Sequence, residues 1–591
     1  MKKQIFTYLT AICFPVLLFS QWSSDPSVNT QVYEGIGSQV QPKVVVNEEG
    51  QSYVSWFSEV GPGEPWTVHM QRLDADGNKM WSDTGILISD HATISWTTDY
   101  GLALDNLDNA ILVTQDQRTG FSDVYTYKMS PSGEFLWGED GIALTNDEAS
   151  NLSPKVVSDT EGNNIYIWPH SAISDYSFIS LQKLSSDGQE LWNDVKIMED
   201  TMHCWQPTMI RSGDSDVIVV WIETTTTDTT IGNWPNMYSY AQKIDANGNF
   251  VWPSKVPIDT IENMPLDRFE PDLASDGNGG LFVGWGAYRP NGLYVSGYVQ
   301  HINGDGGLDW EPNGLAVSDS AQFHQYSPQI VFLPDEDELL VFWDEVREYI
   351  EPPVLGAVFG QKFSDAGEKL WSGQGMPFST WFTLPDTMFA LFDVKPATNN
   401  DVIVYYGTEY IDFINTDTLF HIDLSAIKID SEGNYLWENE NILFAKSNSG
   451  KNQFVSSELV NDQWICLWAD NRNDPTHTIL TDIYAQNISI DGNMGPLATK
   501  ENSYISANKL TNYPNPFSQI TTVEYKLQNP GSVNISLLNL QGQFIKALYE
   551  GGKSSGIHTL QLNGSGFGQG IYFIKLVSGN ETSYHKVILS E

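Results

Sequence analysis

Polar and apolar residues alternate along "VHMQRL" at 68–73, the period of two expected of a strand with one face buried. Short runs of this kind recur through the chain, and no segment sustains a helical period. The runs share one grammar. An extended run opened by proline ("QPKVVV", "SPKVVS", "QPTMIR", "EPDLAS", "SPQIVF") leads into a tight turn such as "NEEG" or "DTEG". A second run ends on an aromatic, at Trp56, Trp168, Trp221, Trp285, Trp343 and Trp468. A third closes in a near-constant phrase: "QRLDADGNKMW" at 71–81, "QKLSSDGQELW" at 182–192, "QKIDANGNFVW" at 242–252. A fourth strand is expected to carry the terminal tryptophan. In the middle of the phrase, Asp, Asn or Ser stands before Gly between two strands, the chemistry of a hairpin turn with a glycine in the left-handed region.

The closing tryptophan returns at Trp81, Trp137, Trp192, Trp252, Trp310, Trp371 and Trp437, spaced by 55 to 66 residues. That period is too long for helical solenoids and suits a four-stranded propeller blade. The first two strands occur eight times, starting near residues 39, 97, 151, 204, 268, 325, 388 and 451, whereas the fourth strand with its tryptophan follows only seven of them. The eighth copy, "QNISIDGNMGP", lacks the tryptophan, but "QWSSDPSVNTQV" from Gln21 resembles "MWSDTGILIS". Trp22 and its strand are therefore expected to complete the last blade and leave no open sheet edge. The expected fold is all-β, an eight-bladed β-propeller over 21–498, with seven blades as the alternative count.

Length and composition fit this reading: 591 residues, 12% aromatic, 20 Trp. Net charge is −45, which excludes nucleic acid as a partner because a polyanion is repelled. Lys2 and Lys3 followed by "IFTYLTAICFPVLLF" read as a signal peptide over 1–20 with cleavage after Ser20. The mature chain then holds no transmembrane segment and only Cys204 and Cys466, too few and too far apart for a disulfide framework. The Asp-rich turns invite calcium, but D-x-D-G lacks the later Glu of an EF-hand, so turn chemistry is the expected role and no cofactor is expected.

Two resemblances follow from quoted residues. The phrase with its final tryptophan resembles the "LDxxTGxxxW" repeats of quinoprotein-like propellers, which implies eight blades with a tryptophan between neighbours; the quinone-binding features of that family do not map here. At the C-terminus, "YPNPF" at 513–517 is followed by "TTVEYKL", "VNISLLNLQGQFIKAL", "GIHTL", "GQGIYFIKL" and "HKVIL". This resembles the type A C-terminal sorting domain of the Bacteroidetes type IX secretion system. The resemblance implies a small Ig-like β-sandwich over 511–591, engagement of the type IX machinery, and release outside the cell or attachment to its surface. The tail has five Lys against four acids and the leader two Lys, so the body between them holds −48. That shift supports a linker at 499–510.

Functional expectations rest on the connections. Those after the second and fourth strands are long ("SEVGPGEP", "ETTTTDTTIGNWPN", "DEVREYIEPPV", "TEYIDFINTDTL", "ADNRNDPTHTIL") and are expected to decorate one face, where binding on a rigid scaffold usually sits. A constellation recurs there: Asp116 with Arg118, Glu345 with Arg347, Asp470 with Arg472, and at the same place His170, Glu223 and Arg289. Acid and arginine two residues apart on a strand point the same way. They suit a ring of charges for a polar ligand such as a glycan, or a salt bridge repeated in each blade with Arg packed on an aromatic. H-E-x-x-H and P-loop signatures are absent. The expected function is an exported binding propeller for a polysaccharide or surface protein. The alternatives are a polysaccharide hydrolase or lyase with paired carboxylates, and a structural or adhesive surface component.

Overall fold

The computed structural model describes residues 22–33, 35–59, 61, 66–92, 98–172, 176–225, 236–263, 271–289, 294–320, 323–347, 355–379, 382–383, 387–414, 417–474, 480–496, 510–527, 530–539, 543–578 and 581–590. The leader expected at 1–20 and nearly all of the linker expected at 499–510 lie outside these residues. The chain divides into two compact units, Met1–Pro496 and Leu497–Glu591.

The first unit repeats one four-stranded antiparallel sheet. In blade 4 the order from the centre outward is His203–Ser212, Asp216–Thr224, Met237–Ile244 and Val256–Asn263. Second strands such as Ser52–Ser58 and Ala110–Asp116 are buried at every position. Their two faces pack against two neighbouring sheets, so the half-buried alternation expected from sequence does not apply to them. The innermost strands close a circle: Gln39–Val46, Gly101–Leu104, Lys155–Ser158, His203–Ser212, Asp272–Ser275, His324–Leu333, Thr387–Pro396 and Lys451–Ser456 each touch the next, and the last touches the first. Each of these strands begins one blade, so the propeller has eight. Blades 1 and 2 are joined into one continuous sheet by the single pair Ala92↔Asp116.

The ring closes as expected through the N-terminal segment. Thr30–Tyr33 pairs antiparallel with Asp482–Ser489, Thr30 opposite Ala485, and becomes the outer strand of blade 8. Trp22 is buried, and its indole N–H donates to Ala75 O at 2.9 Å in the turn of blade 1.

That contact is one of a repeated set, and it explains the phrase. Each tryptophan reaches the turn of the following blade. Trp192 donates to Ala246 O at 3.0 Å, Trp252 to Gly304 O at 3.0 Å, Trp310 to Asp365 O at 2.7 Å and Trp437 to Ile490 O at 3.1 Å. The indole seats on the turn glycine, as Trp22 does on Gly77 and Trp252 on Gly306. Gly306 sits at φ +83°, and a Cβ there would come within 2.7 Å of the Trp252 ring, so both conformation and space select glycine. One expectation is corrected here. The outer ladders start after the tryptophan, at Ile86, Ile142, Val256, Leu315, Met376 and Asn441, and only Trp192 lies inside its strand. The chain has to leave the edge of its own sheet to bring the indole against the next one.

The other letters of the phrase have local duties. Gln71 and Gln361 donate from Nε2 to Ser82 O at 2.6 Å and Ser372 O at 2.7 Å, steadying the segment that carries the tryptophan. The basic residue pairs with an acid of the first turn in its own blade, Lys128 with Asp105 at 2.7 Å and Lys183 with Asp159 at 2.9 Å. The turn aspartates fold onto their own turns: Asp74 Oδ1 accepts the N–H groups of Asp76 and Asn78, and Asp245 Oδ1 those of Asn247 and Asn249. Among the described residues no three His, Cys, Asp or Glu side chains gather as a metal site requires. Cys204 and Cys466 are buried free thiols.

Trp252→Ala is expected to cost about 3–5 kcal/mol in reversible denaturant unfolding, the range for deleting a buried aromatic. Adding Gly306→Ala to it is expected to cost less than Gly306→Ala in the native chain, because the new methyl then faces a cavity; a double-mutant cycle reads this coupling.

The second unit is a two-sheet sandwich. Leu510–Tyr513, Ile520–Leu527 and Gly556–Asn563 form one sheet; Phe544–Lys553, Gly531–Leu538, Gly570–Ser578 and Glu581–Leu589 form the other. Ile520–Leu527 alternates exposed and buried without exception. Val523, Tyr525 and Leu562 of one sheet meet Val533, Ile535, Ile574 and Leu576 of the other in a single core. The "YPNPF" segment is fastened to the last strand, with Asn515 Nδ2 donating to Lys586 O at 2.9 Å and Phe517 N to Ile588 O at 2.9 Å. Among the described residues no helix is long and apolar enough to cross a membrane.

Candidate functional site

The candidate residues fall at the outer ends of second strands and just beyond them. There a four-part module recurs: a second-strand tryptophan, an acceptor for its indole N–H, a cation on that acceptor, and an aromatic ring under the cation. In blade 8, Trp468 Nε1 donates to Asp470 Oδ2 at 2.9 Å, Arg472 Nη2 donates to the same oxygen at 2.6 Å, and the guanidinium lies 4.0 Å from the Tyr484 ring centre. In blade 5, Trp285 and Arg289 both donate to Asp259 Oδ2, at 3.0 and 2.6 Å, with Arg289 3.9 Å over Tyr298. In blade 4, Trp221 donates to Glu223 at 3.2 Å, Lys255 bridges both oxygens of Glu223 at 2.6 and 2.7 Å, and Lys255 stands 4.3 Å from the Tyr240 ring.

Other blades keep part of the pattern, and blade 2 has no second-strand tryptophan. Arg118 clasps Asp116 with two parallel bonds, Nε to Oδ1 at 3.0 Å and Nη2 to Oδ2 at 2.8 Å, and lies 4.1 Å over Tyr125. In blade 3 an amide takes the place of the carboxylate. Trp168 Nε1 and His170 Nδ1 both meet Asn151 Oδ1, at 3.2 and 2.9 Å, and His170 stacks on Phe178. Burial lowers the His170 pKa, so a neutral imidazole donating from Nδ1 matches a neutral acceptor. In blade 6, Trp343 Nε1 donates to Glu345 at 3.3 Å; Arg347 ends that strand, and its side chain lies outside the described residues.

The carboxylates are the inaccessible partners. Asp116 and Asp470 are fully buried, and Glu223 and Glu345 nearly so, while the guanidinium side chains of Arg118, Arg289 and Arg472 keep 22%, 19% and 15% exposure. Burial pushes the carboxyls of Asp116 and Asp470 up, but the bonds from Arg118 and Arg472 more than offset it, and both stay ionised below the usual range. At Glu223 burial wins, and its pKa is raised despite Lys255. What the modules of blades 2, 4, 5 and 8 offer outward is therefore a cation edge on a ring, and the acid of each is held by more than one partner. The sequence reading missed Asp259, Lys255, Asn151 and the ring residues. A signal for the rings existed: an aromatic stands two places before the phrase glutamine in "YAQ" (240–242 and 484–486), "YVQ" (298–300) and "FGQ" (359–361).

A different acid contributes to the pH response. Asp344, on the second strand of blade 6, accepts the N–H of Leu391 in blade 7 at 2.7 Å, and burial pushes it from an ordinary 3.8 up to about 7. The folded state then holds a proton that the unfolded chain releases, so this contribution to stability is whole below about pH 4 and lost as pH rises to about 7. Asp344→Asn is expected to show a smaller fall, with Asp272, which burial raises to about 6, still contributing; thermal melts of both chains across this window check it.

Ring, modules and tail define a class: a β-propeller fitted with a C-terminal sorting domain. Residues 511–590 match the family model described as Secretion system C-terminal sorting domain, the tail of type IX secretion, so the chain is exported to the cell surface or secreted and its tail engages that machinery. No curated protein matches the chain. Solved structures similar to it include an ulvan lyase of a polysaccharide lyase family (11% identity, 66% of this chain and 95% of that one, TM-score 0.40). Others are an α-L-arabinofuranosidase of Fusarium graminearum with an iminosugar inhibitor (12%, 54% and 92%, 0.33) and the β-propeller domain of the trilobed protease of Pyrococcus furiosus (7%, 69% and 96%, 0.34).

Proposed function

We propose that the propeller is an exported binding module, made in a bacterium of the Bacteroidetes with a leader at 1–20 and holding a polysaccharide or a surface protein outside the cell. The observation that carries this reading is the division of labour within the modules. Every described candidate carboxylate is buried: Glu223, Glu345 and Asp470 each accept an indole N–H, Asp116 accepts the Ser89 hydroxyl, and a cation stands beside the acid in blades 2, 4 and 8. That leaves these acids poorly placed for the proton transfers of a hydrolase. Part-exposed guanidinium groups backed by tyrosine rings remain, and these donate hydrogen bonds to hydroxyl and carbonyl oxygens without chemistry.

A glycan array probed with the chain, with and without calcium, tests the reading. Saturable capture is expected, and it is expected to weaken about tenfold in the Arg289→Lys, Arg472→Lys double variant. Lysine keeps a positive charge beside each buried acid but lacks the planar fork. Unchanged capture returns the arginines to a purely structural role, and capture of nothing by the native chain removes the glycan arm of the proposal.

A further inference from the structure

Around the central circle the first residue after each strand-opening proline is Lys43, Lys155, Thr208, Asp272 and Gln329 in blades 1, 3, 4, 5 and 6. The two lysines flank blade 2 and converge on one carboxylate. Lys43 Nζ stands 2.7 Å from Asp99 Oδ1, and Lys155 Nζ bonds Asp99 Oδ2. The acid is fixed from behind. Its N–H donates to Ser153 Oγ at 3.1 Å, and the adjoining Tyr100, fully buried, bonds Ser55 Oγ at 2.9 Å and Gln41 O at 3.0 Å. Burial pushes the Asp99 carboxyl up, yet the two ammonium groups hold it well below the usual range.

Two features separate this cluster from a plain staple between blades. It carries one positive charge in excess, in a body whose charge is strongly negative. It is also open and unfinished: Lys43, Asp99 and Lys155 are 29%, 26% and 31% exposed, and among the described residues neither ammonium has a hydrogen-bond acceptor besides Asp99. By contrast the buried Lys451 donates to the carbonyls of Ile422, Ser447 and Ser449.

We infer that Lys43, Asp99 and Lys155 form an anion subsite on the inner ring, which takes the carboxylate of a uronic acid residue in a polysaccharide. Two ammonium groups leave up to four N–H donors for two carboxylate oxygens. Neutral hydrogen-bonding residues on the innermost strands, Gln41, Thr208, Gln329 and Gln453, suit a hydroxyl-rich neighbour rather than a peptide. The inference deepens the binding reading above and rests on it for the polysaccharide.

Calorimetric titration of the full chain with D-glucuronate, D-glucose and a polyglutamate peptide tests it. Saturable binding of glucuronate and none of glucose is expected. Lys43→Met leaves a one-to-one ion pair, and Lys155→Gln does the same from the other side; each is expected to weaken glucuronate about tenfold. Asp99→Asn doubles the excess charge and is expected to tighten it severalfold. Equal response to glucuronate and glucose, no response, or folded variants that bind like the native chain would overturn the subsite. Tighter binding of polyglutamate would overturn the sugar assignment. If Lys43→Met abolishes no array hit while the native chain has hits, the subsite fails and the binding reading stands; a native chain with no hits at all fails the reading itself.

Discussion

A chain without residues 22–33 is expected to lose about 5 kcal/mol or more of stability and to associate through blade 8, since a buried tryptophan alone is worth about 3–5 kcal/mol and an unpaired edge templates aggregation. Three things go together: the antiparallel pairing of Thr30–Tyr33 on Asp482–Ser489, the burial of Trp22 and Val32, and the indole bond to the turn of blade 1. Thermal melting and size-exclusion chromatography read the effect. A permuted chain that carries 22–33 after Pro496 is expected to regain most of the loss, because the strand then follows the blade it completes. Equal melting of the native and shortened chains would mean the circle stands without its fastening.

Deleting 511–590 is expected to stop delivery to the surface and medium while leaving the melting of the propeller unchanged. The match to the sorting-domain family covers those residues, and the propeller forms its own compact unit ending at Pro496. Cell fractionation separates the outcomes: the truncated chain is expected in the cell, folded, with the native chain outside. A truncated chain that still reaches the medium would assign delivery to another segment. The core of the tail offers a finer variant. Tyr525 and Leu576 are buried in its single core, and polar substitution at either is expected to imitate the deletion by unfolding the sandwich.

Repetition is what made the ring readable. A turn written almost identically in blade after blade shows the hairpin by itself, and a missing eighth tryptophan beside a spare Trp22 shows the closure. The same repetition concealed the modules, because their partners meet laterally. Arg289 takes its acid from Asp259, 30 residues earlier in the outer strand, so no two-residue spacing points to it. Asn151 does in blade 3 what a carboxylate does elsewhere, and an amide among many in a sequence carries no mark of that duty. The tryptophans were placed on the outer strands because strand-like letters surround them; only the neighbouring blade explains why the chain steps off the edge there. The contact of Arg118 with Asp116 is legible in the sequence, since it is local and the bidentate fork needs only a short turn.

The strand that fastens the circle also sets the order of assembly. More than 450 residues separate Thr30 from Ala485, and drawing the ends of so long a loop together costs about 5 kcal/mol of chain entropy. Blades 1 to 7 can form as a growing arc from neighbour contacts alone, but residues 22–33 have nowhere to dock until 482–489 arrive. Maturation is thus gated by its slowest, most distant handshake, and a chain cut short anywhere before that point stays an unlatched crescent with a sticky rim.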